Sequence, residues 1–207
     1  MKKINTLLAA SVFAATAGVS APVLADLSAN AGFVTDYYYR GVNLGGAGLY
    51  AGADYESGGF YAGVWAIDDG EDGAENGFEY DLYLGYGTEI AGVSVTVGYT
   101  EYMYTHTSDS EGEVNLGLGL GAFSLDYADG EDGSDSDYEF VSVSWSGEVF
   151  GAVVGSYEND SGKEYDYAEL SASGEVSGLD VTATLGSRDG TNDDGYLVLD
   201  VSKSFDL

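Results

Sequence analysis

The chain has no cysteine, one proline and one histidine in 207 residues. Without cysteine there is no disulfide framework and no thiolate metal site. The single proline, Pro22, lies near the N-terminus, so nothing after it would interrupt a β-ladder by lacking an N–H. Basic residues are scarce as well: six lysines and arginines stand against 36 aspartates and glutamates, a formal net charge of −30. Such a surface repels nucleic acid, and that class of partner is set aside. Long apolar runs are also missing. After Asp26 none approaches the roughly 20 residues that a membrane-spanning helix needs. A chain of this kind can enter a membrane only as strands, because a closed barrel satisfies every backbone group internally.

What is present begins with a leader. Lys2 and Lys3 form a positive n-region, residues 7–19 an alanine-rich apolar core, and Val23-Leu24-Ala25 the small or slim residues that a signal peptidase accepts. Ser11, Thr16, Gly18, Ser20 and Pro22 interrupt the segment, unlike a retained anchor. We expect a signal peptide over 1–25, cleaved after Ala25, and a barrel over 26–207. Strong acidity often accompanies disorder, but disordered tails lack aromatic rings, and this chain has 18 tyrosines, 8 phenylalanines and 2 tryptophans. Its 32 glycines are roughly twice the usual share, which suits a wall that bends around an interior.

Twelve stretches alternate apolar and polar residues with period two. Val114, Leu116, Leu118 and Leu120 oppose Glu113, Asn115, Gly117 and Gly119; Leu179, Val181, Ala183 and Leu185 oppose Asp180, Thr182, Thr184 and Gly186. Strand side chains point to opposite faces in turn, so each stretch makes one apolar and one polar face. Strands are expected over 27–40, 49–56, 60–67, 78–87, 93–104, 113–121, 122–128, 138–146, 149–157, 165–173, 179–186 and 196–207. Even counts of ten or fourteen stay open. Every second link is short and nearly neutral: Ser57-Gly58-Gly59, 88–92, Gly121, Ser146-Gly147-Glu148 and 174–178. The links between them carry carboxylates, among them Asp68, Asp72, Asp109, Glu111, Asp132, Asp135, Glu158 and Asp193. Only the first of this set, 41–47, has no acid; it is expected to face outside with the others. Short turns on one side and long loops on the other describe an outer-membrane barrel. The expected fold is therefore all-β: a transmembrane antiparallel up-and-down β-barrel of about twelve strands in the bacterial outer membrane, with outer-membrane lipid as its surroundings. The last strand ends aromatic-x-apolar, at Phe205 and Leu207, and resembles the signal read by barrel-assembly machinery during insertion.

Three segments carry a family resemblance: Phe33-Val34-Thr35-Asp36-Tyr37-Tyr38-Tyr39-Arg40-Gly41-Val42, Gly59-Phe60-Tyr61-Ala62-Gly63-Val64-Trp65-Ala66, and Glu79-x-Asp81-x-Tyr83-x-Gly85-Tyr86. The first holds an aspartate-tyrosine-x-x-arginine-glycine signature. Together they resemble the TorF-type porin family, long carried as conserved bacterial proteins of unknown function. The resemblance implies an outer-membrane barrel acting as a porin and brings no substrate with it.

Parity then picks the interior residues. Asp36, Arg40, Asp54, Glu79, Asp81, Glu113, Asp126, Glu169, Asp180 and Asp200 share the polar face and are expected to line the pore. Arg40 has the parity of Ser28, Asn30, Gly32 and Asp36, opposite Leu27, Phe33, Tyr37 and Tyr39. It is expected to pair with Asp36, Asp54, Glu79 or Asp81, either bracing the wall or setting the charge of a constriction. Glycines 32, 52, 85, 98, 117 and 119 would leave room in the lumen, and Tyr38, Tyr50, Tyr83 and Tyr102 would narrow it.

No cofactor, structural metal or enzymatic step is expected. His106-Thr107-Ser108 resembles the histidine-serine pair of outer-membrane phospholipases and lipid A deacylases. Its parity is opposite to that of Val93, Val95, Val97, Tyr99 and Met103, so it would face away from lipid; Asp109-Ser110 stands where those enzymes have asparagine-glycine. The acidic loops at 68–73, 129–133 and 189–195 do not have the spaced ligands of an EF-hand, which leaves weak divalent binding or a solvated rim. The expected function is a passive porin-like channel for ions or small solutes, preferring cations because its inward charges are acidic. The alternative is a non-conducting structural or adhesive barrel whose acidic loops do the work.

Overall fold

The computed structural model describes residues 26–68, 77–105, 110–132, 136–190 and 195–207. Their strands are β1 (Asp26–Val34), β2 (Tyr37–Tyr39), β3 (Val42–Gly45), β4 (Gly48–Ser57), β5 (Phe60–Asp68), β6 (Phe78–Ile90), β7 (Val93–Tyr104), β8 (Ser110–Leu120), β9 (Phe123–Asp132), β10 (Ser136–Ser146), β11 (Phe150–Asn159), β12 (Glu164–Val176), β13 (Leu179–Arg188) and β14 (Tyr196–Asp206). None of the described residues is helical. β1 and β4 to β14 form a closed antiparallel barrel in chain order, with β1 closing on β14. Twelve strands thus make the wall, as the alternation predicts.

The two faces separate as period two requires. Leu82, Leu84, Val97, Leu116, Leu118, Val143, Val154 and Leu185 point outward and are exposed, while Thr100, Glu113, Asn115, Ser142, Thr182 and Asp200 point inward and are buried. A barrel that is apolar outside and polar inside is stable only with lipid around it. Near the short turns the outer face becomes aromatic, with Tyr55, Phe60, Tyr86, Phe123, Trp145 and Phe205 exposed. Such rings sit at a membrane interface. The turns are tight for a defined reason: both central residues of Ala91-Gly92 and of Ser177-Gly178 have positive φ, as a two-residue type I′ hairpin needs.

The first expected strand is the one the structure revises. β1 stops at Val34, where Thr35 N–H donates to the Leu199 carbonyl and the Thr35 hydroxyl accepts from Leu199 N–H. The chain then bends, and β2 and β3 pair only with each other as a separate hairpin. Arg40 and Gly41, at φ 48° and 76°, form its type I′ turn. Residues 41–47 are therefore not an outer loop. They include the return strand of a hairpin that folds into the barrel, where Val42 packs against the cluster of Ala128, Tyr138, Phe140, Tyr157, Tyr165 and Tyr167, and Tyr37 joins Val34, Ile67 and Val198. Tyr37 and Tyr39, whose parity puts them outside, are inside. Period two continues through the bend in the sequence, so parity alone could not show that the chain had left the wall.

The interior glycines are also revised. Six of them lie directly across from a tyrosine: Gly32 from Tyr50, Gly63 from Tyr83, Gly85 from Tyr61, Gly130 from Tyr138, Gly155 from Tyr167 and Gly186 from Tyr196. In each pair the ring lies so close that a Cβ on the glycine would come within 2.1–2.7 Å of a ring atom. Gly32 and Gly85 do not open the lumen; they seat rings. Replacing Gly63 with Ala should push Tyr83 aside and cost roughly 1–3 kcal/mol, as overpacking does. Urea unfolding of the folded barrel would measure it, and in a Tyr83→Ala background, where no ring occupies the space, the same glycine substitution should cost much less. An unchanged midpoint in the single variant would show that the ring has room to move.

Candidate functional site

Every side chain of the hairpin tip meets a different part of the wall. The Tyr37 hydroxyl donates to Glu79 on β6 at 2.6 Å. Tyr38 stacks on Tyr196 of β14, with ring centroids 3.8 Å apart and planes at 15°. The Tyr39 and Tyr102 hydroxyls lie 2.8 Å apart. Gly41 sits against Tyr167 of β12, where a Cβ would be 2.6 Å from the tyrosine's own. The hairpin crosses the lumen rather than lying along one side.

Arg40, at the tip, is the centre of the arrangement. Its Nη1 and Nη2 donate to Glu113 Oε2 and Oε1 at 2.6 and 2.9 Å, a bidentate fork. The guanidinium carbon lies 4.0 Å from the centre of the Phe140 ring and 4.7 Å from that of Tyr39, within cation–π range of both. Glu113 also accepts from the hydroxyls of Tyr138 at 2.6 Å and Tyr102 at 3.1 Å, and from the Asn115 side-chain amide. Thr100 donates to the Asn115 carbonyl oxygen at 3.2 Å. Glu113 and Thr100 are fully buried. Donors so complete offset much of the cost of taking a carboxylate out of water. Arg40 thus reaches the interior, but from the hairpin and not from a wall strand. Its partner is Glu113, and not Asp36, Asp54, Glu79 or Asp81.

The remaining acids are placed one by one. Glu79 is buried beneath Tyr37. Asp81 is fully buried, between Trp65 and Tyr102 in the sheet register, and among the described residues neither of its oxygens has a hydrogen-bond partner. Asp54, Glu169 and Asp200 accept from the hydroxyls of Tyr83, Tyr196 and Tyr50. Asp126 accepts from Ser124 at 2.9 Å, and Asp180 pairs in register with Ser202. Asp36 lies off the wall, between β1 and β2. With Tyr38, Asn43, Arg188 and Tyr196 it lines a cavity of about 340 Å³ beside the hairpin.

One pattern escaped the sequence reading. Four tyrosines each cross a glycine on the neighbouring strand to donate to a carboxylate on the strand beyond. Tyr50 crosses Gly32 to Asp200, Tyr83 crosses Gly63 to Asp54, Tyr138 crosses Gly130 to Glu113, and Tyr196 crosses Gly186 to Glu169. The glycine lets the ring lie flat, and the hydroxyl then lands on the second strand. The donated bond offsets part of the cost of holding a carboxylate where water is scarce. Four of the ten expected interior residues are held this way.

His106 and Ser108 lie outside the described residues, as do parts of the acidic loops at 68–73, 129–133 and 189–195. Among the described residues no three histidine, aspartate or glutamate side chains converge on a position that would hold a metal ion.

The barrel fold is that of bacterial outer-membrane porins. The KdgM porin superposes with a TM-score of 0.58 at 8% identity, over 86% of this chain and 99% of that one. The KdgM porin in complex with disordered oligogalacturonate gives 0.56 at 8% identity, over 87% and 99%. No curated protein matches the sequence. A family described as "Bacterial protein of unknown function (Gcw_chp)" matches residues 16–202.

Proposed function

We propose that this chain, which belongs to the Gcw_chp family of bacterial proteins of unknown function, is a passive outer-membrane channel for ions or small solutes that prefers cations. The observation that carries the reading is the acidity of the interior: Asp54, Glu79, Asp81, Glu113, Asp126, Glu169, Asp180 and Asp200 all face it from the wall, while among the described residues Arg40 pairs with Glu113 and Arg188 lines the cavity beside the hairpin. A closed barrel with such an interior attracts cations and repels anions. The resemblance of residues 33–42, 59–66 and 79–86 to TorF-type porins supports the same reading. In it the leader 1–25 is removed, barrel-assembly machinery inserts the chain into lipid, and no catalytic step occurs. Oligogalacturonate, named in the KdgM complex, is a polyanion, and the acids here argue against such a solute for this chain.

The test is the reversal potential of the purified barrel in planar bilayers under a salt gradient. Cation preference is expected, weakening as salt rises because screening shortens the reach of the carboxylates. Neutralising Asp36, Asp54 and Asp180 together, interior acids that are not buried, should reduce it. Anion preference in the unmodified protein would refute the charge argument. The hairpin across the lumen favours the second reading, a non-conducting structural or adhesive barrel, and absence of current at any voltage would decide for it.

A further inference from the structure

The Arg40 contact has the form of a ligand in a receptor. Apart from Tyr39, the groups that meet the guanidinium belong to the wall, Glu113 on β8 and Phe140 on β10, and the hydroxyls that hold Glu113 come from Tyr102 on β7 and Tyr138 on β10. These groups are oriented without Arg40, since Tyr102, Tyr138 and Asn115 all donate to Glu113, and Thr100 fixes Asn115. Two carboxylate oxygens face two guanidinium nitrogens and an aromatic face covers the plane, which suits a planar fork better than a spherical ammonium.

The occupant is less firmly built than its site. β2 and β3 have three and four residues and pair with no wall strand. A two-stranded hairpin of that length is not stable by itself, so its side-chain anchors hold it in place. Arg40 itself is a non-glycine residue at φ 48°, a conformation that surroundings must impose. Glu79 and Asp81 also lie beside Glu113, and among the described residues neither oxygen of the buried Asp81 has a hydrogen-bond partner.

We propose that Glu113, Tyr102, Tyr138, Asn115 and the face of Phe140 form a guanidinium-binding receptor in the barrel wall, filled here by the chain's own Arg40. Solutes with a guanidinium or amidinium head compete with the hairpin tip for it. This deepens the channel reading by naming a solute class, and the Arg40 clamp becomes the contact that such a solute displaces. Tyr37 on Glu79 and Tyr38 on Tyr196 anchor the rest of the hairpin, so the displacement is confined to the tip.

The test empties the receptor and refills it. Arg40→Gly suits the positive φ of the turn and removes the guanidinium, and heat-modifiable gel mobility verifies folding. Isothermal titration of the detergent-folded variant with guanidinium chloride should show binding. Binding should be at least about tenfold weaker to the unmodified barrel, whose site is filled, and to Arg40→Gly/Glu113→Gln, which lacks the charge. Tetramethylammonium chloride, of equal charge but without the fork, should not bind. Equal guanidinium binding to the single and double variants, or tetramethylammonium binding as well as guanidinium, would overturn the receptor. In bilayers, guanidinium should reduce the current of Arg40→Gly. If neither the unmodified barrel nor the variant conducts, the channel reading fails while the titration still judges the receptor.

Discussion

Replacing Glu113 with Ala should destabilise the barrel by roughly 3–5 kcal/mol, the loss typical of a buried ion pair stripped of one partner. The pair qualifies because the Glu113 side chain is fully buried and that of Arg40 is only 12% exposed. The substitution removes the acceptor for both guanidinium nitrogens and for the hydroxyls of Tyr102 and Tyr138. What remains is a cation between two rings with no anion in its fork, and such a charge is costlier than the original pair. Urea unfolding of the refolded barrel measures the effect. Arg40→Gly in the same chain should recover a large part of it, because the stranded charge leaves with the side chain. Glu113→Gln should cost less than the alanine, since its carbonyl oxygen can still accept from a tyrosine. A loss below about 1 kcal/mol for the alanine variant would mean that water reaches Arg40, as it does at surface pairs.

The barrel was legible because its information is local. Period two in Val114, Leu116, Leu118 and Leu120 fixes which face meets lipid, and glycine-rich short links fix where strands reverse. The hairpin was not legible for the same reason. Asp36, Tyr38 and Arg40 continue the parity of Ser28 to Gly32, so residues 35–36, where the chain leaves the wall, look like more strand. The one local sign is Arg40-Gly41 itself, a pair that fits a type I′ turn only if the arginine accepts positive φ, which arginine seldom does. Tertiary anchors impose it, and they come from β6, β7, β8, β10, β12 and β14.

The acids illustrate the same divide. Their inward direction follows from parity, strand by strand. Their partners depend on register between strands distant in the chain, and Tyr50 reaching Asp200 across Gly32 joins residues 150 positions apart. Once the register is known, the glycines and tyrosines of the composition form one device: small residues make room for rings, and rings carry donors to carboxylates. Composition shows the abundance of each type without showing that they act together.

The outer face gives the second large effect. Leu118 lies on β8 opposite Val95 of β7 and Leu125 of β9, and all three point outward. One row toward the short turns, Leu120 faces Phe123; toward the other end, Leu116 faces Tyr127 and Val114 faces Asp129. That sequence of rows, aromatic, aliphatic, mixed and then charged, places Leu118 inside the hydrocarbon layer. Leu118→Arg should therefore cost roughly 2–4 kcal/mol of folding free energy in lipid, the figure for arginine near the midplane of a barrel's outer face. Gly117→Ser, one residue away, turns inward, where its Cβ meets the movable hydroxyl of Thr96, and should cost far less. The fraction of each variant that keeps its folded mobility on an unheated gel, after insertion into vesicles over a range of urea, compares them directly. Equal tolerance at the two positions would mean that lipid does not contact the face carrying Leu118. That would remove the physical ground for a membrane barrel, because its outward leucines and valines would then need some other cover from water.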